Sequence, residues 1–154
     1  RGVRGPLDVV GGSATLIDES YNANPASMAA ALGVLGGITV AGQGRRIAVL
    51  GDMLELGPAA AALHRGLVAA VTGNAVDLVF CCGPLMRHLW DALPSNRRGG
   101  YADDAAALES QVVAALRAGD VVMVKGSAGS RMKVIVAALN RRFAAPTARD
   151  GATA

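Results

Sequence analysis

Ala14-Thr15-Leu16-Ile17-Asp18-Glu19-Ser20-Tyr21-Asn22-Ala23-Asn24-Pro25-Ala26-Ser27-Met28 runs from an apolar stretch, through a cluster of hydrogen-bonding side chains, into a segment of helical composition. Residues 9–17 have the β-branched and aliphatic content of a strand pair broken at Gly11-Gly12, whereas Met28, Leu32 and Leu35 recur at helical spacing. Asn24 precedes a proline and is biased away from the α region, while Pro25 suits a first helical position, which makes Asn24 the expected N-cap. The unit is a strand, a polar turn and a helix. Open α/β sheets are built from such units and bind ligands beyond the carboxyl ends of their strands.

Outward from this stretch the alternation continues. Residues 1–6 read as a lead-in segment. A helix from 25 to about 40 precedes a continuously apolar strand at 45–50, as expected where helices cover both sheet faces. Pro58 opens a helix whose stripe is Leu63, Leu67 and Val71. His64, one step from that stripe, reads as a surface or half-buried structural residue. Residues 76–82 form the next strand, and Gly83-Pro84 turns it into a helix carrying Leu85, Met86, Leu89 and Leu93. Residues 94–100 read as a solvated polar loop with Arg97 and Arg98 at its tip, followed by a very short strand at Tyr101-Ala102. Asp103 or Asp104 caps a helix with Ala105, Leu108, Val112 and Leu116 inward. A strand at 121–124 leads into Lys125-Gly126-Ser127-Ala128-Gly129-Ser130, and a last helix presents Met132, Ile135, Val136, Leu139 and Phe143. The expected fold is α/β, a Rossmann-like three-layer sandwich with a mostly parallel sheet. One domain spans residues 1–143, with a fraying tail at 144–154.

Composition agrees. A chain of 154 residues can bury roughly 70 % of its unfolded surface as one domain. Hydrophobic residues make up 52 % but aromatic ones only 3 %, so the core is aliphatic, which suits helices on a parallel sheet. The net charge of +3 and the scattered arginines do not indicate nucleic-acid binding. Cys81 and Cys82 are adjacent and lack a second pair, so they read as buried free thiols and not as metal ligands or a vicinal disulfide. No apolar run reaches the roughly 18 residues of a membrane span, and the expectation is a soluble, intracellular chain. It begins at Arg1 and has no Gly-x-x-x-x-Gly-Lys-Ser/Thr loop, which suggests a piece of a larger protein.

Three polar stretches follow strands and precede helices, so they should gather at one sheet edge. In the first, Asp18, Ser20, Asn22 and Asn24 either satisfy the turn and cap the helix or form a site. Together with Tyr21 they exceed what one cap requires, which favours a site. In the second, Gly51 permits close backbone approach, and Asp52 is either a turn residue or a partner for a cation or ammonium group. The third combines Lys125, Arg131, serine hydroxyls, glycines and a helix N-terminus, which together suit an anion. No acid, base or metal partner falls at useful spacing from His88 or Trp90, and no residue is assigned as catalytic or as a metal ligand.

These stretches also carry a resemblance. Residues 15–28, together with Val49-Leu50-Gly51-Asp52-Met53-Leu54-Glu55-Leu56-Gly57 and Val124-Lys125-Gly126-Ser127-Ala128-Gly129-Ser130-Arg131-Met132, closely resemble the C-terminal domain of Mur ligases of the MurF type. The resemblance covers residues 1 to 143. It implies ATP-dependent joining of D-Ala-D-Ala to UDP-N-acetylmuramoyl-tripeptide through an acyl phosphate, in the cytoplasmic stage of peptidoglycan synthesis. It further implies N-terminal and central domains as partners, with ATP and Mg²⁺ held mainly by the central one. By the same resemblance Arg1, at a hinge position, and Asp18, Tyr21 and Asn22 lie on the nucleotide side. Asn24, Asp52, Lys125, Ser127, Ser130 and Arg131 lie on the dipeptide side or in its framework. Two alternatives are a stand-alone nucleotide-binding module, against which the absence of Gly-x-Gly-x-x-Gly weighs, and a noncatalytic interaction domain of the same fold.

Overall fold

The computed structural model describes residues 2–144. The chain alternates strands and helices as β1 (Val3–Val9), β2 (Gly12–Glu19), α1 (Pro25–Gly37), β3 (Arg46–Leu50), α2 (Ala60–Arg65), α3 (Val68–Gly73), β4 (Leu78–Cys82), α4 (Arg87–Ala92), β5 (Arg98–Ala102), α5 (Ala105–Ala115), β6 (Val121–Lys125) and α6 (Lys133–Arg142). The strands form a six-stranded sheet in the order β1-β2-β6-β3-β4-β5. All neighbours are parallel except the β1–β2 hairpin.

Two apolar layers cover the sheet. Alternate strand residues such as Leu16, Val49, Phe80 and Val124 pack under α5 and α6 with Leu108, Val112, Ile135 and Leu139. Their neighbours Ile17, Leu50, Val79 and Met123 pack on the other face with Met28, Leu32, Leu35, Val71 and Leu89. Period-two alternation in strands buried on both faces makes each strand read as apolar throughout. This is the three-layer α/β sandwich expected.

Four sequence expectations are corrected. Residues 3–6 of the expected lead-in are the first part of β1, an edge strand on which Pro6 is tolerated because no ladder is demanded of its outer side. The helix expected to reach residue 40 ends at Gly37, with Ile38 extended. The helix expected from Pro58 is a 3₁₀ turn (Gly57–Ala59) followed by two short helices, α2 and α3. Its inward face carries His64, Leu67 and Val71, while Leu63 is exposed. The loop expected at 94–100 is largely exposed, including Arg98, but it is a 3₁₀ turn (Ser95–Arg97) running into β5, and its arginines bond to backbone carbonyls. Arg97 donates to Val76 O, Arg98 donates to Trp90 O and Asp91 O, and Arg98 opens β5. Cys81 and Cys82 are buried free thiols as read. The tail expected from residue 144 lies, from 145 on, outside the described residues.

Candidate functional site

β6 lies between β2 and β3, although it follows both in sequence. Register places Glu19 opposite Lys125 and Leu50 opposite Lys125, so the ends of these strands are level. The three polar stretches therefore emerge side by side where the strand order reverses, the crevice in which doubly wound sheets take ligands.

The shape of the first turn is set by its own side chains. Asp18 Oδ1 accepts from Ser20 N–H at 2.9 Å and from the Ser20 hydroxyl at 2.5 Å, and Asn22 Oδ1 accepts from Ala23 N–H at 2.9 Å. Asn24 is the N-cap of α1, accepting from Ser27 N–H at 2.8 Å, and Ser27 Oγ accepts in return from Asn24 N–H at 3.0 Å. This reciprocal capping box satisfies amides that the helix leaves free. Tyr21 is 48 % exposed, with its hydroxyl 3.2 Å from Glu19 Oε1.

The second and third loops are held by each other. Asp52 is buried, and its carboxylate accepts from Met86 N–H at 2.7 Å and Leu85 N–H at 3.3 Å, ahead of α4. Gly83 approaches the same carboxylate at a φ of +103°, where a Cβ would lie 2.4 Å from Asp52 Oδ1. His64 is fully buried beneath this loop and accepts from Met53 N–H at 3.0 Å. Gly126 is equally confined, since a Cβ there would meet Ser130 Oγ at 2.4 Å and Gly51 Cα at 3.2 Å. Arg131 ends the 3₁₀ turn Ala128–Ser130 in the left-handed region, at φ 60°, a conformation costing a non-glycine residue roughly 1–2 kcal/mol.

Two hollows flank the junction. One, of about 370 Å³, is walled by Leu54, Pro84, Ala105 and Val134, with Asp52, Asp103, Ser130 and Arg131 as polar groups. Among the described residues neither the Arg131 guanidinium nor the Asp103 carboxylate has a hydrogen-bond or ion-pair partner. Burial, then the charges of Asp52 and Asp104, pushes the Cys82 thiol up to about 12. Burial and Asp103 likewise raise the Tyr101 phenol, whose hydroxyl donates to Gly83 O at 2.8 Å. One wall thus carries a negative field, and Arg131 supplies a cation. The other hollow, about 260 Å³, is lined by Glu19, Tyr21, Asn22, Ser27, Val34 and Lys125.

The structure thus brings Asp52, Ser130 and Arg131 together, and separately Tyr21, Asn22 and Lys125. Lys125 does not share Arg131's hollow. Its buried ammonium donates to Asn22 O at 3.0 Å and lies 3.7 Å from Glu19 Oε1. Asp18 and Asn24 serve the first turn, and Ser127 lies between the loops. Arg1 is outside the described residues. Asp103 and Asp104 read from sequence as caps, and Asp104 is one, accepting from Ala107 N–H at 2.8 Å, yet both also line the larger hollow. Their only signal was position after a strand. Among the described residues no group of three His, Cys, Asp or Glu side chains converges as a metal site. No helix of the described residues is long and apolar enough to cross a membrane.

Comparison with known proteins follows this geometry. The family model for the Mur ligase glutamate ligase domain matches residues 7–128. The UDP-N-acetylmuramoyl-tripeptide–D-alanyl-D-alanine ligase of Treponema pallidum is 36 % identical over 126 residues, covering 80 % of this chain and 27 % of that protein. The enzyme of the same name from Mycobacterium tuberculosis is 34 % identical over 150 residues, covering 84 % and 29 %. The chain thus spans less than a third of the length of these relatives. The crystal structure of MurF ligase from Thermotoga maritima in complex with ADP superimposes with a TM-score of 0.70 at 22 % identity, over 89 % of this chain and 30 % of that one, a likeness of fold. With the matched residues running from β1 into the third loop, the chain belongs to the Mur ligase family, of which it carries the C-terminal, glutamate ligase domain.

Proposed function

We propose that this chain is the closing domain of an ATP-dependent ligase that joins D-Ala-D-Ala to UDP-N-acetylmuramoyl-tripeptide in the cytoplasm. The observation that carries the reading is the side-by-side emergence of the three family-like loops at the β2-β6-β3 edge, between a hollow suited to a short zwitterionic peptide and one beside Tyr21 and Asn22. ATP supplies activation of the tripeptide carboxylate as an acyl phosphate. The other domains of such an enzyme hold its phosphates and Mg²⁺.

Within this reading the larger hollow receives the dipeptide. Its volume of about 370 Å³ falls within the roughly 300–1,000 Å³ of small-molecule sites. Leu54, Pro84, Ala105 and Val134 suit methyl side chains, the Arg131 guanidinium suits the terminal carboxylate, and Asp103 beside Asp52 suits the ammonium. Ser130 borders the same hollow. Tyr21, Asn22 and Lys125, with Asp18 holding their turn, form the nucleotide side, and the family resemblance assigns Arg1 the same role. Asn24 fixes the start of α1 behind them. Closure of the domain aligns amine and acyl phosphate and keeps water out.

The test is ligation by the full-length polypeptide that contains this chain, supplied with ATP, Mg²⁺, the UDP-linked tripeptide and D-Ala-D-Ala. Formation of the pentapeptide product with one phosphate released per bond is expected. Arg131→Ala should raise the KM for D-Ala-D-Ala at least about tenfold with kcat little changed, as loss of uniform binding does. No product with the wild-type enzyme would end the reading. Tight nucleotide binding by this chain in isolation would instead favour a stand-alone module.

A further inference from the structure

Ser127 is 9 % exposed, and its atoms reach every loop of the edge. Its hydroxyl accepts from Leu54 N–H at 2.9 Å and donates to Ala23 O at 3.2 Å. Its own N–H donates to Asp52 O at 3.0 Å. Its carbonyl accepts from Ser130 N–H at 2.8 Å and from the Ser130 hydroxyl at 2.6 Å. A serine hydroxyl has one proton to give, and Ala23 takes it. The hydroxyl's partners lie 73 and 104 residues away in sequence, so the tie joins segments that no local bond connects.

His64 completes the clamp on the middle loop. Its Nε2 accepts from Met53 N–H, and its Nδ1 lies 2.7 Å from Ala60 O. A backbone amide only donates and a carbonyl only accepts, so the ring here is the neutral tautomer with its proton on Nδ1. Met53 sits between Asp52 and Leu54, the two residues whose backbone Ser127 grips. The loop is therefore pinned from beneath by His64 and sideways by Ser127.

We infer that Ser127 is a positioning residue for ligation, joining the three loops into one unit so that the nucleotide side and the dipeptide hollow close together. The inference rests on the ligase reading above. A serine that merely contacted dipeptide would, when truncated, raise its KM and leave kcat alone. Loosening a shared frame acts differently. The dipeptide still binds its hollow, but its amine is misaligned and water competes for the activated carboxylate. Water attack releases the same phosphate as amine attack but regenerates the free tripeptide carboxylate, so phosphate release outruns bond formation.

The test compares the full-length wild-type enzyme with Ser127→Ala and Ser127→Thr. An inactive wild type would fail the ligase reading itself, separately from the inference. With an active wild type, Ser127→Ala should lower kcat at least about tenfold while the KM for D-Ala-D-Ala moves less than about threefold. Phosphate released per bond formed should rise at least about twofold as water enters. Exchange of the Leu54 amide should quicken, and Ser127→Thr, which keeps the hydroxyl, should recover stoichiometry. A raised KM with kcat and stoichiometry unchanged overturns the inference, as does wild-type behaviour of Ser127→Ala. A further measurement needs no variant. In the wild-type enzyme, addition of ATP and tripeptide should slow amide exchange in parallel across residues 18–24, 51–57 and 126–130. Protection confined to one loop overturns the inference.

Discussion

The turn at 18–25 and the paired loops at 51–57 and 126–131 share one sheet edge but are held in different ways. The first turn's own side chains bond within three residues, from Asp18 to Ser20 and from Asn24 to Ser27, while Lys125 and Ser127 hold the backbone carbonyls of Asn22 and Ala23 from afar. The others depend on distant chain. Asp52 reaches residues 33 and 34 positions on, His64 lies 11 from Met53, and Ser127 spans 73 and 104. Local bonds form wherever the segment forms, exposed or not. Long-range bonds exist only inside the folded core, where an amide left without its partner has no water to replace it. The first turn thus sets its own shape and is only docked by Lys125 and Ser127, whereas the other two loops take their shape from distant chain.

The largest expected break in this contrast is Asp52→Ala, which strands the Leu85 and Met86 amides. Urea unfolding of the chain should show a loss of about 3 kcal/mol. A loss no larger than that of a surface cap would dissolve the distinction between the regions. A second probe uses the Cys82 thiol, packed 3.4 Å from Met132 Sδ and raised from 9.0 to about 12 by burial and by Asp52. On raising pH the unfolded chain gives up this proton first. The stability is complete below pH 9.0 and is lost as pH climbs through about 12, at about 1.4 kcal/mol per unit. Wild type should therefore lose about 1 kcal/mol more than Cys82→Ala between pH 9.0 and 10. Equal slopes would mean that the thiol is open to water.

On the locally held side the effects shrink. Asn24→Ala removes one half of the capping box and should cost about 1 kcal/mol by thermal or urea unfolding, with amide exchange at residues 51–57 unchanged. Spread of the effect into those residues would show that the cap helps to shape the paired loops and not the first turn alone. Tyr21→Phe, at an exposed side chain, should shift stability by less than about 0.5 kcal/mol. In the full-length enzyme its consequence is expected in the KM for ATP.

Much of the fold was legible because each strand-to-helix transition carries its own punctuation. Pro25 with Asn24, Gly83-Pro84 and Asp104 mark helix starts by local stereochemistry. The errors fell where the local signal is silent or shared. Val3 and Arg4 read as a lead-in until β2 offers a partner. Leu63 and His64 sit one step apart on one helix, and periodicity prefers the leucine. The core takes the histidine instead because Met53 N–H requires a buried acceptor there. Arg97 looks solvated, yet it is half-buried and donates to Val76 O. Nothing local to Asp120, just before β6, announces that its buried carboxylate grips Arg45 at 2.7 Å and accepts from Arg117 N–H at 2.8 Å.

The candidate site divides along the same line. By itself the sequence determined the order of strands and helices, the capped first turn and the identity of the three polar loops, because backbone preference and short-range hydrogen bonds are encoded in neighbouring residues. Only the tertiary structure decided that β6 inserts between β2 and β3, that Lys125 faces Glu19 while Arg131 opens into the other hollow, that Asp103 borders that hollow, and that Ser127 ties the loops. Strand order and side-chain partnership across the sheet are set by which buried surfaces and polar groups can satisfy one another at once, a condition that no local stretch of chain contains.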